Sequence, residues 1–496
     1  MFNKFRLKVI NFLESHKELP VIAALAAGLH PLFHYYNTNF SQVNSWGHLL
    51  YFLSIYIIIP VAGFVVLKRL VDTLELLKTL RPFTLSVLNL TSFIVLLLLS
   101  TTGLDAFHLS VGLIVGVLLG LLLRKHINKI IVFQLLLAAF VAVKLIPDVY
   151  KHFTHSNEWM VPVDDIASVQ FKKKPNIYII QPDGYANFSE LKNSIYKFDN
   201  TAFEEFLSER NFKTYGDFRS NYNTTLSSNT SMFGMKHHYY HSPKPGANEL
   251  YNARNLIVGN NPVVSALKAN DYNSFLILET PYLLLNRPKI AYDYCNISYD
   301  EVPFLSRGFD LYKDVNADLK EAIMNNSKTH NFYFIEKISP GHVANTGRSS
   351  EGMLVERAHY LENLNTANTW LMDLVTTIET NDKNSLIVIV ADHGGFVGLD
   401  HTLQARAKQT DRDLIYSIYT SALAIKWPED ASGYDTELKS NVNLFRVLFS
   451  YLSENSTYLN NLEADYSYAI IDKGAPFGVY KVIDDNDKVT FDVHKD

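Results

Sequence analysis

The pattern of apolar and polar positions changes character near residue 150. Before that point five long apolar stretches run over residues 19–36, 46–67, 84–101, 109–123 and 130–147, separated by short polar segments. Most approach the ~20 residues a helix needs to cross the hydrocarbon core, and the fourth is short enough to be tilted or re-entrant. Beyond residue 175 the pattern alternates instead. Short β-type runs at 176–181, 212–215, 274–278, 332–338, 386–391 and 423–426 are interleaved with amphipathic stretches at 201–210, 262–269, 315–325, 353–379 and 442–453. Strands separated by helices predict an α/β domain with a sheet covered on both faces. The closing stretch 466–493, with alternation at 477–483 and 489–493, predicts an antiparallel hairpin at an edge. The expected organisation is a five-span transmembrane region over 1–149, a linker over 150–174 ending in Lys172-Lys173-Lys174-Pro175, and a soluble domain over 175–496.

Charge sharpens this division. Residues 1–150 hold 12 Lys/Arg against 6 Asp/Glu, leaving 33 against 44 for the rest. An acidic soluble domain argues against nucleic acid as a partner, because phosphate backbones select basic surfaces. Lys4, Arg6, Lys8 and Lys17 precede the first apolar stretch; Lys68, Arg69, Lys78 and Arg81 lie between the second and third; Arg124, Lys125 and Lys129 lie between the fourth and fifth. Segments 37–45 and 102–108 carry no Lys or Arg. This alternation predicts an integral, multi-pass protein with a cytoplasmic N-terminus and everything beyond about residue 150 outside. Residues 1–28 read as part of the first span rather than as a cleaved signal peptide, since the charge pattern needs that span. Cys295 is the single cysteine, so no intramolecular disulfide forms. Sequons begin at Asn187, Asn223, Asn229 and Asn296, and glycans there would crowd the site described next. A bacterial inner membrane with a periplasmic or extracellular domain is the expected location.

Two strand ends carry the candidate chemistry. The run Ile387-Val388-Ile389-Val390-Ala391 stops in Asp392-His393-Gly394-Gly395, and Asn176–Pro182 stops in Asp183-Gly184. In open α/β sheets ligands collect beyond the carboxyl ends of strands. Either end alone also reads as a plain strand-to-loop turn. Converging on one sheet edge, Asp183, Asp392 and His393 supply three ligands to a divalent metal and leave coordination open for a reacting group. Between them, Ser220–Phe233 is crowded with hydroxyls where a helix begins. Ser and Thr there cap a helix in the simplest case; a hydroxyl on a divalent cation at a helix N-terminus is also an activated nucleophile beside an anion site.

Asp183 at the first strand end, Thr225 at the start of a small-residue helix and Asp392-His393 at a late strand end occur in an order that resembles the alkaline phosphatase and sulfatase superfamily. With five apolar stretches ahead, the chain resembles its membrane-anchored branch of lipoteichoic acid synthases and lipid A phosphoethanolamine transferases. The resemblance covers residues 175–453, and the membrane part by architecture only. It implies an alkaline-phosphatase-like α/β/α sandwich, metal ligation by Asp183, Thr225, Asp392 and His393, and Thr225 rather than Thr224 as nucleophile, with Ser228, Ser231 and Met235 at the matching offsets. It further implies substrate contact or leaving-group protonation by His342, which stands one residue off the branch's usual Pro-His-x-Pro. His401 is a further substrate-binding candidate. No formylglycine motif exists, and the Glu that follows His-Gly in many phosphoethanolamine transferases is replaced by Gly395. The implied cofactor is Zn²⁺ or Mn²⁺, the implied donor a membrane lipid and the implied acceptor a glycan or lipid. The implied function is transfer of a phosphoryl-linked head group through phospho-threonine; the alternative is a sulfatase-like hydrolase, phosphodiesterase or sulfuric ester hydrolase, with water as acceptor. A scaffold with a degenerate domain is disfavoured by the intact site residues, and a transporter by the lack of mid-span charge. The cluster His237, His238 and His241 reads as surface histidines.

Overall fold

A computed structural model describes residues 6, 10–15, 17–241, 243–246, 249–326, 330–436 and 438–495, apart from the side chain of Asn193. Lys4 and Lys8 of the basic N-terminal segment lie outside the described residues. The chain divides into two compact units, Met1–Ser156 and Asn157–Asp496.

The first unit is helical: α1 (Pro20–Val43), α2 (Trp46–Thr73), α3 (Glu75–Thr102), α4 (Ala106–Leu122) and α5 (Arg124–Thr154). Three of these, α2, α3 and α5, are long and apolar enough to cross a membrane. Helix α4 is a shorter apolar helix of 17 residues. Helix α1 contains Pro31 and leaves helical geometry at Asn39 (φ −126°, ψ 18°). Small residues set the closest packing: a Cβ at Gly116 would lie 2.5 Å from Thr91 Cα, and one at Gly120 2.5 Å from Val87 Cα. The Gly112-x-x-x-Gly116-x-x-x-Gly120 stripe therefore lets α4 lie backbone-to-backbone on α3. A buried amide pair ties three helices: Asn89 Nδ2 donates to Ala23 O (2.8 Å) and Gln134 Oε1 (2.9 Å), and Gln134 Nε2 donates back to Asn89 Oδ1 (3.0 Å).

In the second unit a seven-stranded sheet is built from β1 (Ile177–Pro182), β2 (Lys213–Thr214), β3 (Asn273–Leu278), β4 (Tyr294–Cys295), β5 (Asn331–Lys337), β6 (Leu386–Val390) and β7 (Leu423–Lys426), in the order β2-β7-β6-β1-β5-β3-β4. Strands β6, β1, β5, β3 and β4 run parallel; β2 and β7 are antiparallel to their neighbours. Because side chains alternate along a strand, one face gathers Ile177, Ile179, Leu276, Phe332, Phe334 and Val388, and the other Tyr178, Ile180, Phe275, Tyr333, Ile335 and Ile387. The helices α7 (Thr225–Gly234), α8 (Pro262–Ala269) and α12 (Leu444–Ser453) supply Phe233, Leu267 and Phe445 to the first face. Helices α6 (Thr201–Glu209), α9 (Val315–Asn325), α10 (Met353–Asn381) and α11 (Arg412–Tyr419) supply Leu207, Leu319, Leu371 and Ile415 to the second. The result is an α/β/α sandwich, and burial on both faces is why the central strands read as unbroken apolar runs.

The closing stretch departs from a simple edge hairpin. Strands β8 (Ser467–Ile471), β9 (Gly478–Ile483) and β10 (Val489–Val493) form a separate three-stranded antiparallel sheet. It is stitched to the segment before Thr225: Tyr222 bridges Tyr468, and the buried Arg219 donates to Asp465 O (2.7 Å) and Asp484 O (2.9 Å) and pairs with Asp487. Residues 157–174 also belong to this unit, with Ile166, Val169 and Phe171 in its core and the N–H groups of Lys172 and Lys173 bonded to Leu452 O.

Candidate metal centre

Neighbouring strands β1 and β6 end side by side, with Ile180 opposite Ile389, so the residues that follow them are brought to one edge. One ligand atom from each of Asp183, Asp392 and His393 lies within 4.8 Å of the others, and all three residues are buried. The backbone is shaped for this approach. Gly184 has φ +69°, and a Cβ there would lie 2.2 Å from Gly341 O. Its N–H donates to Asp392 Oδ1 at 3.0 Å. At Gly395 a Cβ would lie 2.3 Å from the Tyr360 ring, whose hydroxyl donates to Gly184 O (3.0 Å) and accepts from Ala186 N–H (3.1 Å). Both glycines therefore admit the contacts that lock one strand end to the other. Gly184→Ala combines a left-handed backbone with a backbone clash and should cost about 3 kcal/mol or more of stability; thermal unfolding of the detergent-solubilised protein checks this.

Thr225 enters from the third side. It is the first residue of α7, and Thr224 is its cap, with Thr224 Oγ1 accepting from Ser227 N–H at 3.3 Å. Thr225 Oγ1 instead donates to Asp183 Oδ1 at 3.0 Å and lies 3.4 Å from His393 Nε2. The first-turn N–H groups and the positive end of the helix dipole lie beside it, where an anion is favoured. Asn441 Nδ2 holds α7 to the β6 end by donating to Ser228 Oγ (3.0 Å) and Asp392 O (3.2 Å).

The electrostatics call for a cation. Asp392 Oδ2 is buried and accepts no hydrogen bond, with His393 Nε2 3.3 Å away. Burial, together with Asp183, pushes the Asp392 carboxyl up to about 6 despite the imidazole beside it. Burial works against the His393 imidazolium, but the carboxylates of Asp392 and Asp183 outweigh it and raise its pKa. Positive charge is thus stabilised here whether a proton or a metal brings it, and two carboxylate oxygens, an imidazole and a hydroxyl fit Zn²⁺ or Mn²⁺.

His342 and His401 part company. Gly341 N–H donates to Asp183 O (2.9 Å) and Val343 N–H to Gly395 O (3.2 Å), which holds the intervening His342 over the site. Its ring centroid is 5.8 Å from that of His393. Nδ1 lies 2.7 Å from Val343 O, and since a carbonyl only accepts, Nδ1 carries the proton and Nε2 is left basic. Burial and His393 lower its pKa, so the ring is neutral near pH 7. His401 lies against the 344–347 loop: Thr402 N–H bonds Ala344 O, and a Cβ on Gly347 would lie 3.3 Å from His401 Nε2. Among the described residues it makes no hydrogen bond, ion pair or ring contact with the cluster.

Two features escape the sequence reading. Glu336, near the end of β5, is buried with Oε1 unpartnered. Burial, then Asp183, Asp392 and Glu279, raise its pKa well above the usual carboxylate range. An apolar run ending in an acid was the signal, the same as at Asp183. The histidine cluster is the other, and it corrects an expectation: His237 and His238 are buried, not surface residues. His238 stacks on Tyr222 with centroids 3.8 Å apart and bonds Ser227 O at 3.0 Å; His237 Nε2 bonds Ala464 O at 2.7 Å. Only His241 is exposed. Burial lowers the His237 pKa to about 4. The unfolded ring takes a proton below about 6.5 and the folded one only near 4, so stability is full above pH 6.5 and falls as pH drops through that window. The loss should reach about 3 kcal/mol. Urea denaturation between pH 7.5 and 4.5 should show a shallower acid loss for His237→Asn than for wild type.

No family model matches the chain, and no curated protein matches it. Solved structures do. The C-terminal periplasmic domain of EcEptC from Escherichia coli, in complex with Zn, is 11% identical, with 64% of this chain and 93% of that one covered and a TM-score of 0.41. The integral membrane protein lipooligosaccharide phosphoethanolamine transferase A (EptA) from Neisseria meningitidis is 12% identical over 87% of this chain and 95% of that one, TM-score 0.40. The lipoteichoic acid synthase LtaP from Listeria monocytogenes is 11% identical over 66% and 91%, TM-score 0.39.

Proposed function

We propose that this chain is a membrane-anchored, metal-dependent enzyme of the sulfatase and alkaline phosphatase type, moving a phosphoryl-linked head group from a lipid donor to an extracytoplasmic glycan or lipid acceptor. On this reading α1–α5 are five spans, the N-terminus is cytoplasmic and the second unit is periplasmic. The observation that carries it is the placement of the Thr225 hydroxyl, 3.0 Å from Asp183 Oδ1 and 3.4 Å from His393 Nε2, at the first turn of a helix. A serine or threonine that only capped the helix would do what Thr224 does.

Asp183, Asp392, His393 and Thr225 Oγ1 would hold the cation, which supplies positive charge that makes the hydroxyl more acidic and draws on the phosphoryl oxygens. Thr225 Oγ1 attacks phosphorus as the bond to the departing lipid alcohol breaks, giving a phospho-threonine. The first-turn N–H groups of α7 face the equatorial oxygens, where charge develops in phosphoryl transfer. His342 Nε2, basic in the resting site, takes the proton that Thr225 releases and delivers it to the leaving alcohol; the acceptor alcohol reverses both steps. The full-length protein in nanodiscs with Zn²⁺, head-group-labelled phospholipid and a glycolipid acceptor should release diacylglycerol and label the acceptor. Release of the labelled phospho-head group into water, with no labelled acceptor, would replace transfer by hydrolysis.

A further inference from the structure

The basic residues that flank the apolar helices are not spread evenly; several line one cleft in the first unit. Residues 13–15 and 17–18, Pro82 at the start of the apolar part of α3 and the turn Arg124–His126 with the first residues of α5 enclose about 600 Å³. By liquid volume that is room for roughly twenty waters, well beyond what a single inorganic ion fills. Lys17, Arg124, Lys125 and Lys129 line it. Two acids also reach it, but Glu18 is engaged by Lys68 at 2.7 Å, which leaves Glu14 against four cations. Among the described residues none of the four has a carboxylate within 4 Å. Nor is the cleft a loose collection of surface lysines. Asn128 Nδ2 donates to both Phe12 O (2.9 Å) and Ser15 O (2.7 Å), fastening residues 12–15 across the cleft. The Arg124 guanidinium is held over the Phe83 ring at 4.4 Å, which fixes its plane and leaves its N–H groups available.

The geometry points to a headgroup site for an anionic phospholipid in this cleft. Four cations at the foot of apolar helices meet a phosphate at headgroup depth, and the lipid's chains run along α5, where Phe133, Leu136 and Phe140 are exposed on the face that carries Lys129. Charge complementarity favours a phosphoglycerol-type headgroup over a zwitterionic one, whose ammonium would add to an already positive cleft. On the orientation proposed above this is the cytoplasmic leaflet, opposite the face on which the donor lipid is handled. The inference rests on the membrane reading of α1–α5 and not on the chemistry at Thr225.

Native mass spectrometry of the full-length protein, with phosphatidylglycerol or phosphatidylcholine added in matched detergent, tests it. Wild type should retain phosphatidylglycerol at least ten-fold more tightly, and soluble glycerol phosphate at equal concentration should not compete. The variant Lys17→Gln/Arg124→Gln/Lys125→Gln/Lys129→Gln should lose the preference while keeping its metal content. Should that variant aggregate, Lys125→Gln/Lys129→Gln, both exposed positions, should lose a substantial part of it. Equal retention of both lipids by wild type, or a preference unchanged in either folded variant, overturns the site. Competition by glycerol phosphate would make it a site for a soluble anion instead. None of these outcomes alters whether Thr225 becomes phosphorylated, so the two readings stand or fall separately.

Discussion

Thr225→Ala is expected to lower turnover by about 10⁴-fold or more even at saturating metal, which Asp183, Asp392 and His393 would still hold, less tightly for want of the hydroxyl. The residue is the first of α7 and its cap Thr224 is intact in the variant, so the helix start is kept and the loss of a buried methyl and hydroxyl should cost only about 1–2 kcal/mol of stability. What goes is the atom that forms the covalent bond, and losses of that size are seen when a covalent nucleophile is deleted from an otherwise intact site. Thr225→Ser keeps the oxygen at the same position and should retain a measurable fraction. Thr224→Ala removes the cap, at a cost of about 1 kcal/mol of stability, with a far smaller effect on rate. A steady-state assay of the three variants, with bound metal measured on the same samples, separates the two threonines.

Asp392→Asn carries the second large effect, and its sign depends on the metal. In wild type two buried carboxylates and an imidazole lie within 4.8 Å, and the Asp392 carboxyl is pushed up to about 6. Without a cation, replacing one carboxylate by an amide removes like-charge repulsion, so the variant should unfold at a higher temperature than wild type in chelator. With a cation the order reverses. Wild type gains about 2.7 kcal/mol at a metal concentration a hundred times the dissociation constant, whereas the variant, having lost a charged ligand, should bind at least ~100-fold more weakly and gain almost nothing. The same groups set the pH dependence. A proton competes for Asp392 and His393, so metal affinity should fall as pH drops through about 6. Unfolding scans of both proteins with Zn²⁺ and with chelator would test this crossing. A variant less stable than wild type in chelator would mean that Asp392 holds the fold together by hydrogen bonding to Gly184 rather than by waiting for a cation.

How far the sequence carried these conclusions depended on whether each feature was local. Strands β1 and β6 were legible because burial on both faces writes an unbroken apolar run, and the acid after each run marks where it leaves the sheet. Helices Pro262–Ala269 and Val315–Asn325 keep the bounds their periodicity indicated, as does strand Leu423–Lys426. The direction of that strand was not legible, since antiparallel pairing with β6 is decided by the connection and not by the run. The closing sheet gained β8, whose residues Ser467–Ile471 are all buried and so lack the half-polar alternation of a surface hairpin. His237 and His238 were misjudged for a related reason. An imidazole is polar by composition, but Tyr222, Ser227 and Ala464 come from elsewhere in the chain to satisfy it. In the first unit the Gly112, Gly116 and Gly120 spacing was visible in the sequence, yet only the approach to Val87 and Thr91 gives it meaning. At the site, the strand-end acids and the threonine could be read singly. That His342 is held beside His393 while His401 lies against residues 344–347 further along the same connection could not, because loops settle both.

The most direct measurement is intact-mass and peptide mass spectrometry of the full-length protein in nanodiscs, after brief incubation with Zn²⁺ or Mn²⁺ and a mixture of phospholipids. The proposed mechanism predicts a phospho-head-group or phosphoryl adduct confined to Thr225, formed only with metal, and absent from Thr225→Ala. Metal-dependent turnover at the wild-type rate by Thr225→Ala, with no adduct on any residue of wild type, would contradict it.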